Sequence, residues 1–175
     1  MRSFKITSPI PEETVKNLRS GERLLLSGTI FTARDAAHKR LIELLDANMP
    51  LPLDFSGQTV YYAGPCPAPP GRAIGSAGPT TSMRMDAYAP RLIGEGLRVM
   101  IGKGERSDAV ISAIRRYSGA YLAAVGGAGA LLSLCVEKAE PVAFEDLGPE
   151  AIYRLYVRDM PLVAAIDCSG GNIYL

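Results

Sequence analysis

Short apolar runs alternate along this chain with segments whose apolar residues recur at helical spacing. The strand-like runs fall at 4–6, 23–30, 59–63, 97–101, 119–125 and 136–144. Between them, helical patterns are expected at 9–18, 33–47, 80–93, 107–117 and 130–134. In the 33–47 segment Ala37, Leu41, Leu44 and Leu45 share one face, and Thr32 is placed to cap its start. Ser107 can cap the 107–117 helix, with Asp108 favourable in its first turn. The proline-rich stretch 64–71 reads as an exposed loop leading into 73–77. Residues 150–158 fit helix or strand, because Ile152, Leu155 and Tyr156 satisfy neither period cleanly. Strands are expected at 161–167 and 172–175, around the turn Ser169-Gly170-Gly171. Alternation of the two element types predicts an α/β or α+β fold, and 175 residues suit a single domain spanning 1–175.

Charge adds little to that picture. Nineteen Lys plus Arg face 18 acidic residues, for a net charge of +1. Such balance supplies no general attraction for nucleic acid or an anionic membrane, and neither is expected as a partner. The run 119–136 carries no charged residue, but Gly126, Gly127 and Gly129 interrupt it, so it reads as a buried strand, a turn and a short helix. The start, Met1-Arg2-Ser3-Phe4-Lys5, has no apolar signal region, and a cytoplasmic protein is expected. Cys66, Cys135 and Cys168 are far apart, with no C-x-x-C pair; reduced thiols are expected, and no metal ligand set is visible. Neither Gly96–Lys103 nor Gly127–Leu132 completes a nucleotide-binding glycine pattern.

The segment Gly78-Pro79-Thr80-Thr81-Ser82-Met83-Arg84-Met85-Asp86 reads as a turn feeding a helix, with Thr80, Thr81 or Ser82 as its cap. Free amides at a helix start favour an anion, and Arg84 one turn in can reach a carboxylate held there. Two further cations stand at element junctions. Arg34 sits at the start of a helix, where it opposes the dipole and needs an acidic neighbour or a bound carboxylate. Lys103 lies between Gly102 and Gly104, which allow close approach of backbone and ligand. Asp35 follows Arg34, and the single histidine, His38, lies one turn further on. His38 and Asp35 have two open readings, proton transfer or support of the fold.

Three motifs in order carry a family resemblance: Ser27-Gly28-Thr29-Ile30-Phe31-Thr32-Ala33-Arg34-Asp35-Ala36-Ala37-His38-Lys39-Arg40, the Gly78–Asp86 segment, and Ile101-Gly102-Lys103-Gly104. Agreement extends from Thr7-Ser8-Pro9 to Asp159-Met160-Pro161 and Asp167. The chain resembles the C-terminal domain, or separate beta subunit, of the iron–sulfur hydro-lyases, the class I fumarases and L-tartrate dehydratases. The resemblance implies a swivelling β/β/α domain and reversible addition of water to a small dicarboxylate. It implies a 4Fe-4S cluster held by three cysteines of an alpha region, not by this chain, and an oligomer of alpha–beta pairs. It assigns Arg34 and Arg84 to substrate carboxylates, Lys103 to the active site and Thr80 to the base. Thr80 keeps a second reading as a helix cap or substrate hydrogen bond, and Thr81 can share either role. The expected reaction is fumarate to (S)-malate; tartrate dehydratase, mesaconate-type hydratase and a non-enzymatic carboxylate-binding domain are the alternatives.

Overall fold

A computed structural model describes residues 3–124 and 129–175. In chain order the elements are β1 (Ser3–Ser8), α1 (Glu12–Asn17), β2 (Arg23–Thr32), α2 (Asp35–Asp46), β3 (Thr59–Tyr61), a 3-10 turn (Ser82–Met85), α3 (Ala89–Gly94), β4 (Val99–Gly102), α4 (Asp108–Arg116), β5 (Ala120–Ala123), α5 (Gly129–Ser133), β6 (Val136–Ala143), a second 3-10 segment (Glu145–Glu150) and β7 (Ile152–Ile166). The fold is mixed α/β, as the alternating pattern predicts.

The seven strands described form one sheet, and five of them close on themselves. β2, β3, β4 and β5 are parallel neighbours in that order. β7 runs antiparallel to β5 on one edge and to β2 on the other, which completes the ring. β1 extends β2 in parallel, and β6 lies antiparallel beside the first half of β7.

Closure buries the inner face of every ring strand, while β3 and β4 are buried on both faces and β7 exposes Arg154, Tyr156 and Arg158 outward. Leu24, Leu26, Ile30, Tyr61, Val99, Ile101, Leu122, Leu155 and Leu162, drawn from all five ring strands, converge in one interior cluster. Their alternate neighbours Val60, Met100 and Tyr121 join a second cluster with Leu41 of α2, Leu92 and Ile93 of α3, and Val110 and Ile114 of α4. Helices therefore cover the outer face, while the inner face packs on itself.

Several elements depart from the sequence reading, each for a local reason. No single helix spans 80–93. Pro90 has no N–H to bond back to Asp86, so α3 begins afresh around it and only a short 3-10 turn precedes it. Thr32 does not cap α2. It is the last residue of β2, and its hydroxyl accepts the Tyr153 N–H at 3.1 Å; the N-cap is Arg34, in extended backbone. Residues 152–166 form one long strand, not a separate element ahead of 161–167. Asp159 has φ +48°, and the register with β2 shifts there, so the inward set moves from Leu155 and Val157 to Met160, Leu162 and Ala164. Within 150–158 the period is broken because Ile152 packs in the outer cluster, Leu155 and Val157 in the inner one, and Tyr156 stays exposed. The tail 172–175 makes one bridge, Asn172 to Ile166, and no strand. The Ser107 cap is present, with its Oγ accepting the Val110 N–H at 3.4 Å. The turn expected at 126–129 lies largely outside the described residues.

Gly102 ends β4 where another side chain needs its space. A Cβ there would sit 1.9 Å from Ser82 Oγ and 2.9 Å from Tyr62 Cδ2. Gly102→Ala should destabilise the fold by about 1–3 kcal/mol in urea unfolding. Adding Ser82→Gly should recover part of that loss; no recovery would show that the two positions do not compete.

Candidate functional site

The parallel strands of the ring deliver their carboxyl ends to one side of the domain. Arg34 follows β2, Tyr62 and Gly64 follow β3, and Lys103 follows β4. Ligands in α/β sheets are commonly met at such ends. The segment 80–86 is laid across the ends of β3 and β4. Thr80 N–H donates to Tyr62 O at 2.7 Å, and Ser82 N–H donates to Lys103 O at 2.9 Å. Thr81 and Lys103 thereby form a parallel bridge. Residues separated by more than twenty positions in sequence become backbone neighbours.

The anion site expected from a helix start does not form in that way. Thr80 and Ser82 amides are spent on carbonyls, and Arg84 N–H donates to Thr81 O at 3.3 Å. Neither Thr80 nor Thr81 caps a helix through its side chain. Thr81 is exposed and Thr80 half-buried. Side-chain cations are what the site offers instead.

Asp35 organises two of these cations. Arg84 donates through Nε to Asp35 Oδ1 at 3.1 Å, and Arg34 Nη2 lies 4.0 Å from Asp35 Oδ2. The acidic neighbour that Arg34 needed at a helix start is thus Asp35, while Glu150 Oε1 accepts the Ala36 N–H at 3.4 Å. Arg84 keeps 55% of its side chain exposed and Arg34 29%. Arg84 meets Asp35 through Nε, which leaves its terminal Nη pair as a fork suited to a carboxylate. Gly64 makes room for the Arg34 stem: a Cβ would lie 3.0 Å from Arg34 Cδ. Lys103 is half-buried, and among the described residues no acid lies within 4.0 Å of its ammonium. Arg34, Arg84 and Lys103 thus outnumber the two carboxylates beside them, Asp35 and Glu150.

His38 lies beneath Arg34 with no exposed surface. Its Nδ1 is 2.8 Å from Arg34 O, and since a carbonyl can only accept, Nδ1 carries the proton. Its ring meets Tyr62 edge-on, with centroids 5.3 Å apart. Burial pushes the imidazole down to about 4; the Arg34 carbonyl opposes this and Arg106 adds to it. Three buried polar atoms without partners among the described residues, Arg34 Nε, Asp35 Oδ2 and His38 Nε2, all belong to the start of α2.

One residue under the site, Arg106, escaped the sequence reading. Asp86 was visible as the end of a motif, but its partner was not. Arg106 donates through Nε to Asp86 Oδ1 at 2.7 Å and through Nη2 to the Tyr62 hydroxyl at 3.2 Å. Its position three residues after Lys103 was the available signal.

No described helix is long and apolar enough to cross a membrane, and no described group of three or more His, Cys, Asp or Glu residues could hold a metal ion. Cys66 is exposed on its loop, while Cys135 and Cys168 are partly buried, and burial raises the Cys135 thiol away from the thiolate that a metal requires.

A closed mixed α/β sheet thus gathers cations at the ends of its parallel strands. The chain belongs to the family described as Fumarase C-terminus, whose model matches residues 1–175. It is 42% identical over 154 residues to "Fumarate hydratase 1, mitochondrial" of Leishmania major, covering 87% of this chain and 28% of that protein. It is 41% identical over 154 residues to "Fumarate hydratase class I, anaerobic" of Escherichia coli K12, with the same coverage of 87% and 28%. It is 37% identical over 171 residues to "Putative L(+)-tartrate dehydratase subunit beta" of Methanocaldococcus jannaschii, covering 94% of this chain and 88% of that protein. The chain thus spans less than a third of those two fumarate hydratases and nearly all of that subunit. Its relatives by name are hydro-lyases.

Burial of His38 has a consequence for acid stability. At pH above about 6.5 folded and unfolded chains both hold it neutral, and its contribution is complete. As pH falls from 6.5 toward 4 only the unfolded chain gains the proton, so stability drops. The expected loss at pH 5 is about 2 kcal/mol. Urea unfolding at pH 7.5 and pH 5 should show His38→Gln losing less than wild type by that amount. Equal losses would place His38 in an environment that tolerates its charge.

Proposed function

We propose that this chain is the beta subunit of a two-subunit iron–sulfur fumarate hydratase, interconverting fumarate and (S)-malate with an alpha chain that carries the cluster. The observation that carries this reading is the gathering of Arg34, Arg84 and Lys103 at the strand ends, where cations outnumber acids. Such an excess suits a small carboxylate substrate. Similarity to a protein whose name makes it a subunit beta supports the division into two chains. The swivelling β/β/α arrangement belongs to this proposal as well.

This chain's residues do not fit a four-iron cluster, since its cysteines sit on three different loops and form no ligand group among the described residues. The 4Fe-4S cluster is therefore assigned to the alpha chain. Here, Arg84 presents its terminal fork to one carboxylate, and Arg34 with Lys103 holds the remainder of the dianion. Fixed cations also stabilise the extra charge that develops when a proton leaves the carbon beside a carboxylate. Thr80 and Thr81 border these cations, and the proposal gives Thr80 the proton-transfer role. A threonine hydroxyl is too weak a base in water, so that role requires the water-free space that a covering chain creates. His38 supports Arg34 from below, with its protonated nitrogen bound to the Arg34 carbonyl.

Higher identity to the Leishmania and Escherichia fumarate hydratases supports fumarate as the first reading; similarity to a tartrate dehydratase subunit makes L-tartrate the second. Mesaconate-type substrates present the same two carboxylates. The reading tests directly. Purified alone, the chain should not hydrate fumarate; mixed without oxygen with a cluster-bearing alpha chain, it should. Faster turnover of tartrate would move the assignment to the second substrate. Malate binding with no turnover in the mixture would make the chain a carboxylate-binding domain and overturn the enzyme reading.

In the mixed enzyme, Arg84→Lys keeps the charge but loses the fork. Loss of one charge-assisted hydrogen bond, roughly 1.5–3 kcal/mol, should lower kcat/KM by about 10- to 100-fold. Unchanged kinetics would remove Arg84 from substrate binding.

A further inference from the structure

We propose that Arg106 is a positioning residue: one buried guanidinium fixes the segment carrying Thr80–Arg84 against the segment carrying Lys103. The kinetic part of this inference rests on the hydro-lyase reading; the structural part does not.

Secondary structure holds these segments weakly. They share one parallel bridge, Thr81 to Lys103, and a four-residue 3-10 turn. Arg106 supplies what is missing. Its side chain has no solvent exposure, and Asp86 beside it has 7%. Its plane lies between two rings, with the guanidinium carbon 5.2 Å from the Tyr62 centroid and 4.9 Å from the Tyr121 centroid. Nε binds Asp86, at the far end of the 80–86 segment, and Nη2 binds the Tyr62 hydroxyl. The second Asp86 oxygen accepts the Ser107 N–H at 2.5 Å, so the same carboxylate also ties down the start of α4.

Both tyrosines pass the constraint to the site. Tyr62 O accepts the Thr80 N–H, and the Tyr62 ring abuts His38, which binds the Arg34 carbonyl. The Tyr121 hydroxyl donates to Gly104 O at 2.9 Å. With that hydrogen spent, Ser82 Oγ must be the donor in its 2.8 Å contact with the Tyr121 oxygen. Thr80, Ser82, Asp86, Gly104 and Ser107 are therefore all referred to one point beneath them.

Burial of an ion pair carries a desolvation cost that its attraction seldom exceeds, and replacing both partners is often neutral for stability. This pair's main contribution is then geometry. Lysine cannot substitute: it lacks the planar fork that bonds Asp86 through Nε and Tyr62 through Nη2 while its carbon sits against two rings.

The test uses Arg106→Lys and the double variant Arg106→Met with Asp86→Asn, which removes both charges and keeps an acceptor for Ser107. Amide hydrogen exchange is read at Thr80, Ser82 and Ser107, with core amides of β2 and β7 as the reference for global stability. Exchange at the three site amides should speed up by about tenfold or more while the core amides hold. With the alpha chain present, kcat/KM per folded molecule should fall by about 100-fold, more through kcat than KM, as expected for misplaced groups. A purely stabilising role would lower the melting temperature and leave kinetics per folded molecule unchanged. Site amides and kinetics both within about threefold of wild type in the two variants would overturn the inference. Should the wild-type mixture show no turnover, the hydro-lyase reading fails and the exchange measurement alone decides the role of Arg106. If Arg106→Lys does not fold, the charge-free double variant decides it.

Discussion

The antiparallel ladder between β2 and β7 is the contact on which the other features depend. It runs from Arg23 against Val163 to Phe31 against Arg154, and it converts a sheet into a ring. Without it β2 and β7 would present open edges, and the inner cluster would face water. With it, the parallel strands β2, β3, β4 and β5 are held side by side with their carboxyl ends together. Gly28 serves the same closure on the other side: its φ of +104° and the Ser8 carbonyl, 2.2 Å from where a Cβ would be, let β1 lie against β2.

Above that frame the candidate site is a layer of cations, and beneath it a layer of neutral or compensated polar groups. The upper layer faces outward: Arg84 and Thr81 are exposed, and Arg34 and Lys103 are partly so. The lower layer is closed: His38 is neutral, and Arg106 is matched by Asp86. Cations therefore outnumber acids in the upper layer, while charge in the lower layer cancels.

Much of this architecture was legible in the sequence where local rules act alone. The 107–117 helix announced its own cap, the apolar runs at 23–30, 59–63 and 97–101 became ring strands, and Arg34, Arg84 and Lys103 stood out as cations at element junctions. Local rules failed where a distant residue had claimed the group in question. Thr32 looked like a cap and is instead an acceptor for Tyr153, across the ladder. The amides at Thr80 and Ser82 looked free and are taken by Tyr62 and Lys103.

The sequence by itself determined which segments are helical or extended, because hydrophobic period and capping chemistry are properties of neighbouring residues. It determined the cation set too, since side-chain charge needs no fold. Only the tertiary structure decided that 152–166 is one strand, because the register shift at Asp159 moves the buried face from one parity to the other. Only the tertiary structure joined Arg106 to Asp86 and brought the guanidinium to the rings of Tyr62 and Tyr121. Those four residues come from the end of a 3-10 turn, a loop, the end of β3 and the interior of β5, and no local pattern encodes a contact that exists only after the sheet has closed.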